Sequence, residues 1–368
     1  MRVSIPARIG LIGCGNISPA YLRASNRFPQ LEIVTCADVV PEAAKKREKE
    51  YGVRAVSVDE VFTDPSVEIV LSLTPPQNHA PMIRRALEAG KHVYTEKPLA
   101  LSTGEAEPLL AVARERSLRI GCAPDTVLGG GIQTARKAVD DGLIGRQIGG
   151  TAFMFYGGPE SWHPNPAFFY QRGAGPLFDM GPYYLTTLVS LLGPIRRIFA
   201  SGQITHQERV FGAGPRKGET FPVEVPTYIA ALLLFESGST VHLGISFDVP
   251  LHTHSHIELY GTEGTLVVPD PNRFSGNVRL ARAGGPWSDV AHSHGFGDRD
   301  WRGLGLAEMV EAIRAGVPHR ASADMAYHVL EVMEAIAGVA IGGGEKAIQS
   351  RCERPRALKP VEPTYDLS

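Results

Sequence analysis

Gly10-Leu11-Ile12-Gly13-Cys14-Gly15-Asn16-Ile17-Ser18 is the stretch on which the fold of this chain turns. It closes an apolar run that starts at Arg8 and opens onto helix-forming residues. Gly13-x-Gly15-x-x-Ser18 is a GxGxxG fingerprint whose last glycine is replaced by a small residue. The first glycine permits a tight turn. The second lets backbone N–H groups of the loop, through Asn16 and Ile17, approach a pyrophosphate, and a helix N-terminus behind them favours the negative charge. Asp38 ends the next apolar run, about 20 residues beyond the loop, where an acidic residue accepts hydrogen bonds from a ribose diol. A carboxylate there repels a 2′-phosphate, and no Arg immediately follows it. NAD is therefore favoured over NADP.

Outward from this loop the first third of the chain alternates β-rich runs with helical ones. Strands are expected at Arg8–Ile12, Leu31–Ala37, Ile69–Leu73, His92–Tyr94 and Arg119–Cys122, and helices at Pro41–Tyr51, Pro81–Ala89 and Thr103–Glu115. That alternation implies βαβ units with right-handed crossovers and a parallel sheet. After Pro124 the rhythm changes. A helix at Gly131–Asp140 precedes β-rich runs at Gly149–Tyr156, Ile195–Gln203, Thr227–Glu236, Thr240–Phe247 and His254–Tyr260, joined by turn signals such as Glu236-Ser237-Gly238-Ser239. Helical runs follow at Gly305–Ala315 and Ala323–Val339. Consecutive strands with short connections suggest a mainly antiparallel sheet. The expected fold is an α/β Rossmann domain, residues 1–123, followed by an α+β domain with a large open sheet, residues 124–368.

Composition narrows the partners. The 368 residues carry 37 Lys+Arg against 39 Asp+Glu, and 43% are hydrophobic. Near-neutral charge gives no long-range reason to expect nucleic acid or an anionic membrane. The N-terminus lacks a basic segment followed by an apolar core and a cleavage site, so it does not read as a secretory signal. Cys14, Cys36, Cys122 and Cys352 are scattered and form no CxxC pair. A disulfide framework or thiolate zinc site is not expected, and a cytoplasmic setting fits.

Three further motifs sit where α/β folds bind ligands. Thr74-Pro75-Pro76-x-x-His79 ends the third run, Glu96-Lys97-Pro98 follows the fourth, and Gly173-x-Gly175-x-x-x-Asp179-x-Gly181-x-Tyr183 lies in the second half. With His319-Arg320-Ala321-Ser322 and His328-Val329-Leu330-Glu331-Val332-Met333, they follow the glycine loop in an order that resembles the glucose–fructose oxidoreductase/inositol dehydrogenase (Gfo/Idh/MocA) family over most of the chain. The resemblance implies a nicotinamide cofactor held partly by Thr74, Pro75, His79, Glu96 and Lys97. It also implies a sugar, cyclitol or related polyol substrate, with Lys97 and Asp179 in the active site. A cis Lys97–Pro98 bond, inexpensive before proline, would suit it. The family's usual histidine is replaced by Tyr183.

That departure bears on proton transfer. Oxidising an alcohol needs a group that takes the hydroxyl proton as hydride leaves, and histidine suits this because it titrates near neutrality. A tyrosine needs a neighbouring cation to act as base, which Lys97 would supply unless Lys97 is itself the base. On a helix, Asp179 and Tyr183 project from one face. The expected constellation is Lys97, Asp179 and Tyr183, with the acceptor open between Lys97 and Tyr183; Tyr183 as a packing aromatic is the plainer alternative.

Trp162 and His163, in Ser161-Trp162-His163-Pro164-Asn165-Pro166, offer a flat apolar face and a polar ring suited to sugar contacts, or else form a proline-fixed surface loop. Asp125 is a candidate to border the nicotinamide. His252-x-His254-x-His256 would put three imidazoles on one face of a strand, but no accompanying carboxylate or thiol supports a metal site. Two rivals to a dehydrogenase remain: a redox-cycling enzyme that retains NAD while cleaving or epimerising a glycoside, and a non-catalytic sugar or dinucleotide sensor. A sheet with an open face suits a homo-oligomer, either dimer or tetramer.

Overall fold

A computed structural model describes residues 5–360; the first four residues of the segment judged for a leader lie outside it. The chain forms two compact units. One comprises the chain up to Asp125 together with Trp301–Leu330, and the other Thr126–Asp300 together with the chain from Glu331 onward. This differs from a single division at 123/124, and the reason is visible in the first unit. Asp125 Oδ2 accepts the N–H groups of Gly303 and Gly305, each at 3.0 Å, and His319 Nε2 lies 3.1 Å from the Ile120 carbonyl. These bonds return a late segment to the edge of the first sheet.

The first unit has six strands: β1 (Ala7–Ile12), β2 (Leu31–Ala37), β3 (Arg54–Ala55), β4 (Ile69–Ser72), β5 (His92–Thr95) and β6 (Ile120–Cys122). They lie in the order β3-β2-β1-β4-β5-β6, with every pair parallel. The central strands β1 and β4 are rich in Ile, Leu and Val and almost wholly buried, the composition of a parallel sheet covered on both faces. Between the strands run α1 (Ser18–Leu22), α2 (Pro41–Tyr51), α3 (Val58–Thr63), α4 (His79–Glu88) and α5 (Thr103–Glu115). β3 and α3 are additions to the expected elements. Two residues are too few for a period-2 signal, but α3 carries a readable capping box: Ser57 Oγ accepts the Glu60 N–H while Glu60 accepts that of Ser57.

In the second unit α6 (Gly130–Asp140) and α7 (Gly175–Leu192) pack on one face of a nine-stranded sheet. Its strands are β7 (Gln147–Phe155), β8 (Ile195–Gln203), β11 (Tyr228–Phe235), β12 (Thr240–Ser246), β13 (Ile257–Gly261), β14 (Gly264–Val268), β15 (Val278–Arg282), β16 (Ser288–Val290) and β17 (Gly344–Ala347). A hairpin of β9 (Glu208–Val210) and β10 (Thr220–Pro222) stands apart. The large sheet is ordered β16-β15-β14-β13-β7-β12-β11-β8-β17 and is antiparallel except where β12 runs parallel to β7. β11 shows how it is covered: Ile229, Leu233 and Phe235 are buried, whereas Ala230, Leu232 and Leu234 alternate onto a more open face.

Candidate functional site

The sheet order of the first unit reverses between β1 and β4, the switch point where open α/β sheets bind ligands. The glycine loop leaves β1 there. Gly13 has φ +102°, and a Cβ on it would stand 2.6 Å from the Leu73 carbonyl oxygen and 3.0 Å from the Thr74 nitrogen. Only glycine fits. Gly15 differs: a Cβ would meet nothing within 4 Å, and the residue is exposed with Asn16. Ser18 is fully buried, and its hydroxyl donates to the Gly15 carbonyl at 2.8 Å, so the serine supports the turn. The helix behind the loop is short, with Ile17 at the N-cap of the five-residue α1. Its dipole is correspondingly small, and the loop N–H groups themselves carry the anion-binding capacity.

Asp38 closes β2 beside this loop. Its Oδ2 accepts the Cys14 N–H at 2.7 Å and its Oδ1 the Val40 N–H at 2.9 Å. The carboxylate is thus oriented, half-buried, with further lone pairs for a ribose diol. Arg47 of α2 was not singled out in the sequence, yet it laces the loop, donating to Ser18 Oγ at 3.0 Å and to the Gly15 carbonyl at 3.1 Å while paired with Glu50 at 2.6 Å. Nothing local marks it, because the contact spans a βα crossover. The cradle around Gly15 and the oriented Asp38 fit a dinucleotide.

Thr74 and Pro75 follow β4, and Glu96-Lys97-Pro98 follows β5, its neighbour in the sheet. Buried His79 ties the two together. Its Nδ1 is 2.5 Å from the Pro98 carbonyl and its Nε2 2.8 Å from that of Thr74. Burial lowers its pKa, opposed by those two carbonyls and by Glu96. Glu96 accepts the Tyr21 hydroxyl at 2.8 Å and the Lys97 N–H at 3.2 Å, and the Lys97–Pro98 bond is cis. The structure therefore brings Gly13, Gly15, Asp38, Thr74, Pro75, His79, Glu96 and Lys97 to the carboxyl edge of one sheet. Asp125 is not at that surface. It is fully buried, and burial pushes its pKa up to about 6.

In the second unit Asp179 and Tyr183 fall one turn apart on α7, as the spacing required, with Asp179 half-buried and Tyr183 buried. Pro182 lies inside this helix and has no N–H, so the Phe178 carbonyl loses its helical partner between them. Tyr156, at the end of β7, is a residue that spacing could not reveal. Burial raises its pKa, and Asp179 and Glu160 raise it further, which places its hydroxyl in their field. Trp162 is 60% exposed, and His163 Nδ1 accepts the Asn165 N–H at 3.0 Å, leaving Nε2 to carry the ring proton.

The histidine triplet is corrected. Regular pairing of β13 with β7 begins at Ile257, so the three histidines precede the strand: His252 and His254 stack with ring centroids 6.2 Å apart beside Phe155, and His256 is turned away from them. His256 Nδ1 lies 2.9 Å from the Tyr184 hydroxyl, whereas His254 packs on Phe153 with ring centroids 4.4 Å apart. Among the described residues no group of three potential metal ligands is present, and no helix is long and apolar enough to cross a membrane.

Comparison with known proteins matches this geometry in both units. Residues 7–123 match the model for the oxidoreductase family with an NAD-binding Rossmann fold, and residues 132–267 match that for the GFO/IDH/MocA C-terminal domain. The chain belongs to the Gfo/Idh/MocA oxidoreductase family. Among curated Gfo/Idh/MocA relatives, dTDP-3,4-didehydro-2,6-dideoxy-alpha-D-glucose 3-reductase of Saccharopolyspora spinosa is 29% identical, over 76% of this chain and 80% of its own. The 1,5-anhydro-D-fructose reductase of Ensifer adhaerens is 27% identical, over 71% and 75%. The crystal structure of an NAD binding oxidoreductase from Klebsiella pneumoniae shares the fold, with TM-score 0.81 and 24% identity over 94% of this chain and 100% of that one.

Proposed function

We propose that this oxidoreductase transfers hydride between NAD and a secondary hydroxyl of a sugar, glycoside or cyclitol, with Lys97, Asp179 and Tyr183 handling the hydroxyl and its proton. The observation that carries the reading is the open backbone cradle at Gly15 beside the oriented Asp38 carboxylate. It has room for a pyrophosphate and an acceptor for a ribose diol, and the Asp38 carboxylate beside it would repel a 2′-phosphate. Gly13, Gly15, Asn16, Ile17 and Asp38 would hold the adenosine and pyrophosphate half, and Thr74, Pro75, His79, Glu96 and Lys97 the nicotinamide half. The bound cofactor supplies the hydride chemistry.

The chain's own residues supply orientation and proton transfer. Glu96 and His79 fix the backbone from which Lys97 projects. Asp179 accepts a hydrogen bond from a substrate hydroxyl and so fixes which carbon presents its hydrogen, and the proton leaves to Tyr183 or Lys97. A homo-oligomer built on the open face of the nine-stranded sheet is part of the same proposal. That face carries Phe153, Phe155, Leu232 and Leu234, half-buried and in part under the His252 and His254 rings, and the apolar surface left over suits a partner. Four buried free thiols suit a reducing cytoplasm.

The test is a screen of sugars, glycosides and cyclitols with NAD and with NADP, followed by pH–rate profiles of Lys97→Met and Tyr183→Phe. The reading expects stoichiometric reduced nicotinamide, faster with NAD, and loss of the alkaline-rising limb in whichever variant lacks the base. Full activity in both variants, or no turnover of any polyol, would refute it.

A further inference from the structure

Between Ser161 and Gln171 the sequence Trp162-His163-Pro164-Asn165-Pro166-Ala167-Phe168-Phe169-Tyr170 holds no charged side chain. In the fold its rings form one ledge. Phe168 and Phe169 pack with centroids 4.0 Å apart, and the His163 ring stands edge-on to Trp162, Phe168 and Phe169 at 5.3, 5.4 and 5.2 Å. Trp162 and Phe168 nonetheless leave 60% and 44% of their surface to solvent. An aromatic surface of this kind forfeits burial energy unless something lies on it.

The ledge is held firmly. The Arg209 guanidinium, on the β9–β10 hairpin, bonds Glu160, Asp248 and the Phe247 carbonyl, and lies over the Tyr170 ring; the Tyr170 hydroxyl donates to Glu160 at 2.8 Å. Glu160 also accepts the Gly212 N–H through its carbonyl at 3.1 Å, and the Pro159 carbonyl takes the His163 N–H at 2.8 Å. With Pro164 and Pro166 fixing φ, the loop loses little further entropy when it binds. Beneath the ledge the packing runs inward toward α7: Phe169 meets buried Phe247 at 6.4 Å, and Phe247 meets Tyr156 at 5.0 Å, the residue whose hydroxyl lies in the field of Asp179.

We propose that this ledge is a second sugar subsite, so that the substrate is a disaccharide or glycoside whose far ring lies on Trp162 and Phe168 while its near ring presents the reacting hydroxyl to Asp179. The inference rests on the dehydrogenase reading above. Flat aromatic faces suit the apolar C–H face of a pyranose, and the His163 Nε2–H and the Asn165 amide suit its hydroxyls. A nucleotide or acidic peptide would find no countercharge on this segment.

The experiment compares NAD-dependent oxidation of glucose and galactose with that of cellobiose, lactose, maltose and p-nitrophenyl glucosides, in the unaltered protein and in Phe168→Ala and Trp162→Ala. Saturation-transfer NMR runs in parallel with the NAD-bound protein. The proposal expects kcat/KM for a two-ring substrate to exceed that of its monosaccharide, and the ratio to fall about tenfold in either variant. Saturation is expected to reach the far-ring protons and to disappear in the variants. An unchanged ratio, or no transfer to any far ring, overturns the subsite even if monosaccharides are oxidised. Far-ring transfer without reduced nicotinamide supports the subsite and refutes the dehydrogenase reading instead. A shift of elution volume from dimer to monomer in Trp162→Ala overturns it in favour of a second copy of the chain.

Discussion

The paired variants Gly13→Ala and Gly15→Ala separate what the glycine loop needs for folding from what it needs for ligand. At position 13 the added methyl meets two costs. The backbone sits at φ +102°, where an L residue is strained by roughly 1–2 kcal/mol. The methyl also lands 2.6 Å from the Leu73 carbonyl oxygen, a backbone atom at the end of a paired strand that cannot move aside, an overpacking cost of about 1–3 kcal/mol. Together these predict a loss of roughly 2–5 kcal/mol, several degrees in Tm. At position 15 there is no positive φ and no atom within 4 Å, so Tm should stay within about a degree of the parent. The methyl there fills the space a pyrophosphate would occupy, and NAD affinity should fall at least about tenfold, or ~1.4 kcal/mol. Differential scanning calorimetry and isothermal titration with NAD read both quantities. Equal NAD affinity in the parent and Gly15→Ala would refute the cradle, and a Gly13→Ala protein as stable as the parent would refute the packing argument.

Other outcomes follow from individual contacts. Asp38→Ala, which removes the ribose acceptor and the repulsion of a 2′-phosphate, should narrow the NAD-over-NADP ratio of kcat/KM by about tenfold or more; an unchanged ratio would place cofactor choice elsewhere. Asp125 has its pKa raised by burial to about 6, so the folded state keeps a proton that the unfolded state has already lost. Its stabilising contribution is complete below about pH 4 and is lost as pH rises through about 6, roughly 3 kcal/mol in all. Asp125→Asn keeps an acceptor for Gly303 and Gly305 and should flatten that decline; thermal melts from pH 4 to 7 that run parallel for both proteins would refute it. His79→Ala removes the ring between the Thr74 and Pro98 carbonyls, one of which takes the single N–H of the neutral imidazole, and should cost roughly 1–3 kcal/mol, read as a lower urea midpoint. Its NAD binding should weaken as well, and an unchanged midpoint would show that water replaces the ring.

Local patterning made much of the first unit legible. β2, α2 and α5 occupy the expected residues because their signals are complete within each segment: a β-branched run, Pro41 opening a helix that left-handed Gly52 ends, and Ser102 capping the Glu105 N–H. The glycine loop with Asp38, and the helical spacing of Asp179 and Tyr183, are likewise contained in sequence, because backbone geometry follows from glycine and from the 3.6-residue turn.

What the tertiary structure alone decided depends on residues far apart in the chain. The histidine triplet reads as a strand by alternation, but its link to β7 is the His256 carbonyl accepting the Phe153 N–H at 2.8 Å, with regular pairing beginning at Ile257, and hydrogen bonds to a neighbouring strand, rather than alternation, make a face. Arg47 reaches the glycine loop, His79 clasps Pro98, Arg209 braces the aromatic ledge and Tyr156 stands in the field of Asp179, each across tens of residues. Asp125 turned inward because the N–H groups of Gly303 and Gly305 needed an acceptor. The sequence by itself determined the kind of cofactor cradle and the helix that carries Asp179. Long-range packing decided which polar groups surround them, since a hydrogen bond is specified by where two atoms meet and not by where either lies in the chain.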